Sequence, residues 1–211
     1  MKYKDFKNKI RDFPLFSSSH ISIIADNEQV LRNQLTQWRK QGLLICVKKG
    51  LYILNETDRK INPSRLFIAN QLLSPSYIST EYAFSFYGLI PEKVEDVTSI
   101  TTKKTTFFQN VFGTFRYQHI SIPTFIGFRE VRDEANLPFF IAEPEKAIVD
   151  FFYLHLSNFQ RDDKNIFGLS YRFQNVSELN RKRLKDSARI FGSRKLLKIT
   201  NLFCEFIESG E

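Results

Sequence analysis

Cysteine and histidine are scarce, at two and three copies in 211 residues. Cys46 and Cys204 stand far apart in no paired motif, which gives neither a disulfide framework nor a zinc site. His20, His119 and His155 have no HxxxH or HExxH spacing, so no metal centre is expected. No GxxxxGK[ST], GxGxxG or GxSxG sequence occurs, and no nucleophile–base pair stands out, so no catalytic residue and no cofactor is expected. No run of about 18 apolar residues is present that would span a bilayer. The opening MKYKDFKNKI lacks the apolar stretch of a signal peptide. A reducing cytoplasm is the expected compartment. There is no internal repeat and no low-complexity tract.

What the chain does contain is ordinary for a globular protein: 42% hydrophobic and 26% charged residues. Phenylalanine is over-used, with 22 copies, so an aromatic-rich core is expected. The net charge of +8 is uneven. Residues 1–62 carry 12 Lys/Arg against 6 Asp/Glu, residues 63–142 carry 7 against 7, and residues 143–211 carry 12 against 10. The basic excess therefore gathers near the N-terminus, as an anionic partner requires. A merely solvated basic face would give the same count.

Tyr3 to Phe13 has helical spacing, with Tyr3, Phe6, Ile10 and Phe13 on one side and Pro14 as a stop. Ser17 to Ser19 can cap a short second helix, His20 to Ile24. Asp26 or Asn27 can cap a third, whose Leu31, Leu35 and Trp38 fall in one narrow arc. Trp38 therefore belongs to the core rather than to a base-stacking surface. Gly42 ends this helix. Leu43 to Val47 and Leu51 to Leu54 are expected strands joined through Lys48-Lys49-Gly50. Three helices followed by a basic-tipped hairpin have the order of a winged helix-turn-helix.

Residues 55–62, NETDRKIN, are polar and aperiodic, a candidate linker. Pro63 opens the next expected helix, and Ser79 caps another that ends at Tyr87 and Gly88. Residues 97–142 hold β-branched runs broken by Gly113, Pro123, Gly127 and Pro138, which predicts an antiparallel sheet or meander. Pro144 begins a strongly apolar helix to about His155. Val176 to Phe191 and Ser193 to Glu208 read as a helix pair. The expected fold class is α+β. A winged helix-turn-helix DNA-binding domain over residues 1–56 precedes a mixed antiparallel-sheet and helix domain over 63–211.

Opposite the apolar arc of the third helix lie Gln29, Asn33, Thr36, Gln37 and Lys40, with Arg32 on the flank. In a major groove, Asn33 and Gln29 or Gln37 can pair bidentately with adenine, Arg32 with guanine, and Thr36 can meet a thymine methyl. Lys40, Lys48 and Lys49 suit phosphates. Ser18, Ser19 and His20, at the start of the second helix, complete the expected DNA-contacting set. Ordinary solvation of a polar helix face is the plain alternative. A second basic set, Arg181, Lys182, Arg183, Lys185, Arg189, Arg194, Lys195 and Lys198, faces only Glu178 and Asp186 between residues 175 and 198. It suits phosphates or an acidic protein partner. Glu143, Glu145, Lys146 and Asp150 invite a metal-nuclease reading. They lie within one or two helical turns rather than on adjacent strands with an acid-x-Lys pattern. Glutamates at a helix start need no chemistry to explain them, and Lys146 and Asp150, at i and i+4, are expected to pair on the helix surface.

Several phrases occur together in order: Leu35-Thr-Gln-Trp-Arg-Lys-Gln-Gly42, Lys49-Gly-Leu-Tyr-Ile53, Pro75-Ser-Tyr-Ile-Ser-Thr-Glu81, Tyr87-Gly-Leu-Ile-Pro-Glu92, Thr98-Ser-Ile-Thr101, Phe112-Gly-Thr-Phe-Arg-Tyr117 and Ile141-Ala-Glu-Pro-Glu-Lys-Ala147. In this the chain resembles the AbiEi family of antitoxins, the regulatory partners in type IV toxin–antitoxin and abortive-infection systems. The resemblance covers about residues 27–155. It implies an N-terminal winged helix that binds the promoter DNA of its own operon. It further implies a C-terminal domain that counteracts a nucleotidyltransferase-like toxin of the AbiEii type, directly or indirectly. The matching positions Tyr77, Ser79, Glu81, Tyr87, Gly88, Pro91, Glu145 and Lys146 are then scaffold, toxin-facing, or both. Nothing in periodicity or spacing bears on antitoxicity. The alternative function is a winged-helix interaction module that binds a toxin directly without DNA.

Overall fold

The computed structural model describes residues 1–17, 20, 27–159 and 164–209. The protein is a mixed α+β chain with two sheets. Helix α1 spans Tyr3–Ile10. It buries Phe6 and Ile10, one turn apart on the same face. It stops earlier than expected because Phe13 precedes Pro14, which disfavours helical backbone there. The chain tightens into a turn in which Phe13 N donates to Ile10 O at 2.9 Å, and Phe13 is left exposed. The expected second helix lies outside the described residues, apart from His20.

Strand β1 (Phe16–Ser17) precedes helix α2 (Glu28–Lys40), the helix whose periodicity is clearest in the sequence. The Asn27 side chain caps α2 by accepting from Val30 N at 3.1 Å. Gly42, at φ +73°, lets the chain reverse after α2. Strands β2 (Leu44–Lys48) and β3 (Leu51–Leu54) follow as an antiparallel hairpin, and the small sheet has the order β1-β3-β2. Phe6, Ile10, Phe16, Leu31, Leu35, Trp38, Leu44 and Leu54 form one buried cluster within this unit. The opposite face of the sheet has a different neighbour. Leu15, Val47 and Ile53 join the main hydrophobic core of the remaining chain.

The polar stretch 55–62 is a fixed turn rather than a free tether. Asp58 accepts from the Tyr3 hydroxyl at 2.6 Å and from Lys7 Nζ at 2.9 Å. Lys60 N donates to Arg11 O at 3.2 Å. The next helix, α3 (Arg65–Leu72), begins after Pro63, with Ser64 as its cap. Asp133 accepts from the backbone N–H of Ser64, Ala135 and Leu137, so it ties this entry to a distant turn.

Strands β4 (Ser76–Ile78), β5 (Val97–Thr101), β6 (Thr106–Asn110), β7 (Gly113–His119), β8 (Phe128–Arg132) and β9 (Pro138–Ala142) form a six-stranded sheet of order β6-β7-β5-β4-β9-β8. The sheet is mixed rather than an antiparallel meander, since β5 with β7 and β4 with β9 run parallel. Two strands enter out of sequence order: β4 sits between β5 and β9, and β6 is at the edge beyond β7. Helix α4 (Thr80–Tyr87) follows β4 and ends at Gly88 in the left-handed region. Helix α5 (Pro144–Leu154) has Pro144 in its first turn and is buried nearly all round, as a helix with no polar face must be. Helices α6 (Arg181–Ile190) and α7 (Arg194–Ser209) form a hairpin broken at Gly192. A phenylalanine cluster centred on Phe152, with Phe159, Phe167, Phe173 and Phe203 in ring contact, fills the space between α5 and α7. Among the described residues no helix is long and apolar enough to cross a membrane.

Candidate nucleic-acid interface

Helix α2 divides cleanly into two faces. Leu31, Leu35 and Trp38 are buried, and Trp38 lies against Tyr3 and Phe6 with ring centroids 5.3 and 4.8 Å away. Gln29, Arg32, Asn33, Thr36, Gln37 and Lys40 are all exposed. The outward set runs along the helix from Gln29 to Lys40, with Val30 also exposed. Thr36 Oγ1 donates back to Arg32 O at 3.2 Å.

The hairpin that follows presents its two lysines differently. Lys49 is exposed at the tip, next to Gly50 at φ +82°. Lys48 is half-buried. Its ammonium donates to Leu72 O at the end of α3 and lies 5.9 Å from the centre of the Phe108 ring. Burial, and then the nearby Lys103 charge, lower its pKa. Lys48 therefore bolts the hairpin to the larger sheet and does not stand with Lys49 at the tip, as a phosphate contact there would require. Helix-like His20 is exposed, its ring accepting from Ser17 N at 3.3 Å. Ser18 and Ser19 lie outside the described residues.

The second basic set gathers on the α6–α7 hairpin, and part of it is already neutralised. Arg181 pairs with Glu208, Arg183 with Glu143 at 3.5 Å, and Arg189 with Asp186 at 2.6 Å. Lys182, Arg194, Lys195 and Lys198 are exposed, and Lys185 is half-buried. None of these five makes an ion pair among the described residues.

The Glu143-Pro144-Glu145-Lys146 segment is what this hairpin rests on. Glu143 meets Arg183, Glu145 Oε1 accepts from Asn180 N at 2.8 Å at the start of α6, and the Lys146 ammonium lies 4.7 Å from the Phe191 ring centre in the turn after α6. Lys146 also pairs with Asp150, but inside the protein rather than on a helix surface, with side chains 3% and 0% exposed. Asp150 completes its shell by accepting from the Tyr77 and Ser79 hydroxyls, each at 2.9 Å. Burial pushes the Asp150 carboxyl up and the Lys146 ammonium down, each opposed by the other's charge. Burial, then the adjacent Asp150, raises Tyr77 well above an ordinary phenol. With every member shielded from solvent, this cluster has no face open to a substrate. Of the positions carrying the family resemblance, Tyr77, Ser79, Glu145 and Lys146 are buried and Pro91 is exposed. The signal for this was present in the sequence: Ala147, Ile148, Val149, Phe151 and Phe152 leave α5 no polar face on which a surface pair could stand. Among the described residues no group of three or more His, Cys, Asp or Glu side chains is placed to hold a metal ion.

No protein-family model matches the chain. No curated protein matches it significantly.

Proposed function

We propose that residues 3–54 form a winged helix that binds DNA, with α2 in the major groove and the β2–β3 tip against the backbone. The protein then represses its own operon by covering promoter DNA. The remaining chain, on the resemblance to AbiEi proteins, counters a nucleotidyltransferase-like AbiEii-type toxin in the cytoplasm. The observation that carries the DNA half is the partition of α2: an unbroken exposed row of Gln29, Arg32, Asn33, Thr36, Gln37 and Lys40 opposite a fully buried Leu31–Leu35–Trp38 seam. Such a row offers bidentate amide and guanidinium donors at the spacing a groove-bound helix needs. Binding of the full chain to duplexes tiled across the DNA upstream of its gene, followed by fluorescence anisotropy, tests it. Arg32→Ala and Asn33→Ala should bring the preferred duplex down towards a scrambled one, by about 1–3 kcal/mol per lost base contact. Equal binding of preferred and scrambled DNA by the unaltered protein ends this reading.

A second reading has support of its own in Lys182, Arg194, Lys195 and Lys198 on the α6–α7 hairpin, which make no ion pair among the described residues. In it the protein holds an acidic toxin surface directly and does not bind DNA. Co-purification with the neighbouring gene product, lost on changing these four residues to alanine, with no DNA shift, favours it.

A further inference from the structure

Lys103 and Lys104 stand exposed in the loop between β5 and β6. They attract no notice in the sequence, because residues 63–142 are charge-balanced. The fold brings this loop to the β2–β3 hairpin. Strand β6 lies beside β2: Asn110 Nδ2 donates to Val47 O at 3.0 Å, and one step nearer the tip the Lys48 ammonium sits over Phe108. Tracing β6 backwards from Asn110 through Phe108 to Thr106 therefore leads along the hairpin towards Lys49, and then to Lys104 and Lys103. The Lys103 charge is close enough to act on Lys48. The loop is held in place. Lys103 N donates to Thr101 Oγ1 at 3.1 Å, its carbonyl lies 3.0 Å from His119 Nδ1, and Thr101 Oγ1 donates to Pro75 O at 2.7 Å. Among the described residues no ion pair involves Lys49, Lys103 or Lys104.

We propose that Lys103 and Lys104 join Lys49 in one phosphate-binding surface for duplex DNA, so that the larger sheet itself takes part in the DNA contact. This rests on the reading of residues 3–54 as a DNA-binding unit. Like charges gathered with no acidic partner among the described residues repel one another in the free protein, and a polyanion relieves that repulsion. Two of them lie in a loop whose backbone is tied down by hydrogen bonds, so little backbone entropy is lost on binding. The arrangement is suited to phosphates of one backbone, because β6 runs from the basic loop alongside the hairpin. Lysines of this kind set position and affinity and leave sequence preference to α2.

The test is anisotropy on the full chain over a salt series, with the preferred upstream duplex and a scrambled one. Lys103→Ala with Lys104→Ala should weaken both duplexes by the same factor. It should also make the slope of log K against log salt shallower by up to about 1.8, at about 0.9 per lost phosphate contact. Lys93→Ala, an exposed lysine before the opposite end of β5, should leave the slope unchanged. If Lys49→Ala flattens the slope while the loop pair keeps wild-type affinity and slope, this inference fails and the DNA-binding reading stands. If the wild-type protein binds no duplex at any salt, both fall together.

Discussion

The Lys146 ammonium and the Asp150 carboxylate pair one turn apart on α5, and neither is open to water. Carrying two charges into a protein interior costs several kcal/mol per ion, and the pair alone seldom repays it. Here the remaining valences are filled: Asp150 by Tyr77 and Ser79, Lys146 by the faces of the Tyr77 and Phe191 rings. The network joins β4, α5 and the α6–α7 turn. Its contribution is to specify one arrangement of these elements, since any other would strand a charge.

The costs of removing the two partners should therefore not add. Lys146→Met or Asp150→Leu alone should destabilise the fold by about 3–5 kcal/mol. The double change should cost less than the two singles summed, with the unpaired Tyr77 and Ser79 hydroxyls accounting for much of the residue. Urea denaturation of the three variants checks this, and additive single effects would refute the coupling.

Phe191 and Glu145 should control how firmly the basic hairpin is docked. Phe191→Ala removes the ring contact with Lys146 and with Tyr153, whose ring centroid is 4.5 Å away. Glu145→Ala removes the acceptor for Asn180 N. Either should speed amide exchange across residues 181–209 while leaving α1 and α2 near wild type. Uniform change across the chain would show that the hairpin is not a separate unit of stability.

Trp38 and Asn33, on opposite faces of α2, should separate folding from recognition. Trp38→Ala should cost about 3–5 kcal/mol of stability by opening a cavity against Tyr3 and Phe6. Asn33→Ala is a surface change and should stay within about 0.5 kcal/mol. Thermal melts decide it, and comparable losses from the two would mean that the polar face is not free of structural duty.

The Asp58 clamp on α1 should make stability depend on acid. Its hydrogen bond from Tyr3, then that from Lys7, hold the Asp58 carboxyl below its ordinary range. A depressed carboxylate adds stability above its unfolded pKa, about 3.9, and that stability is lost as the pH falls through the folded value. Tyr3 is shifted the other way, first by burial and then by Asp58. Its contribution is complete below about pH 10 and is lost only as the pH rises through the folded value. Asp58→Asn should thus be less stable than wild type at pH 7, by about 1–3 kcal/mol. The gap should narrow well below pH 4. A constant gap between pH 7 and pH 3 would contradict it.

Local signals in the sequence carried α2 and the β2–β3 hairpin, but not β1, whose two residues show no pattern. Periodicity placed α2 and its buried seam, and Gly42 and Gly50 marked where the backbone must turn. The larger sheet was only half visible. Ser76–Ile78 is too short to show alternation, yet it occupies the middle of the sheet. The parallel pairings depend on residues far apart, which no short-range pattern encodes. Lys48 illustrates the same limit at a single side chain. Its chemistry suits phosphate, but its partners Leu72 and Phe108 arrive only with the tertiary fold. The i, i+4 spacing announced the Lys146–Asp150 pair, and the apolar residues on every side of it in α5 were the sign that it is enclosed.

The two-sided small sheet has a practical consequence. Cutting the chain after about residue 56 would carry Leu15, Val47 and Ile53 into water and leave Lys48 without its anchor. The released piece would have a sticky underside and a loosened fingertip. Its behaviour on DNA would then differ from that of the same residues in place. The same underside makes the unit a poor candidate for transplantation onto another scaffold, unless the new host offers a matching greasy seat.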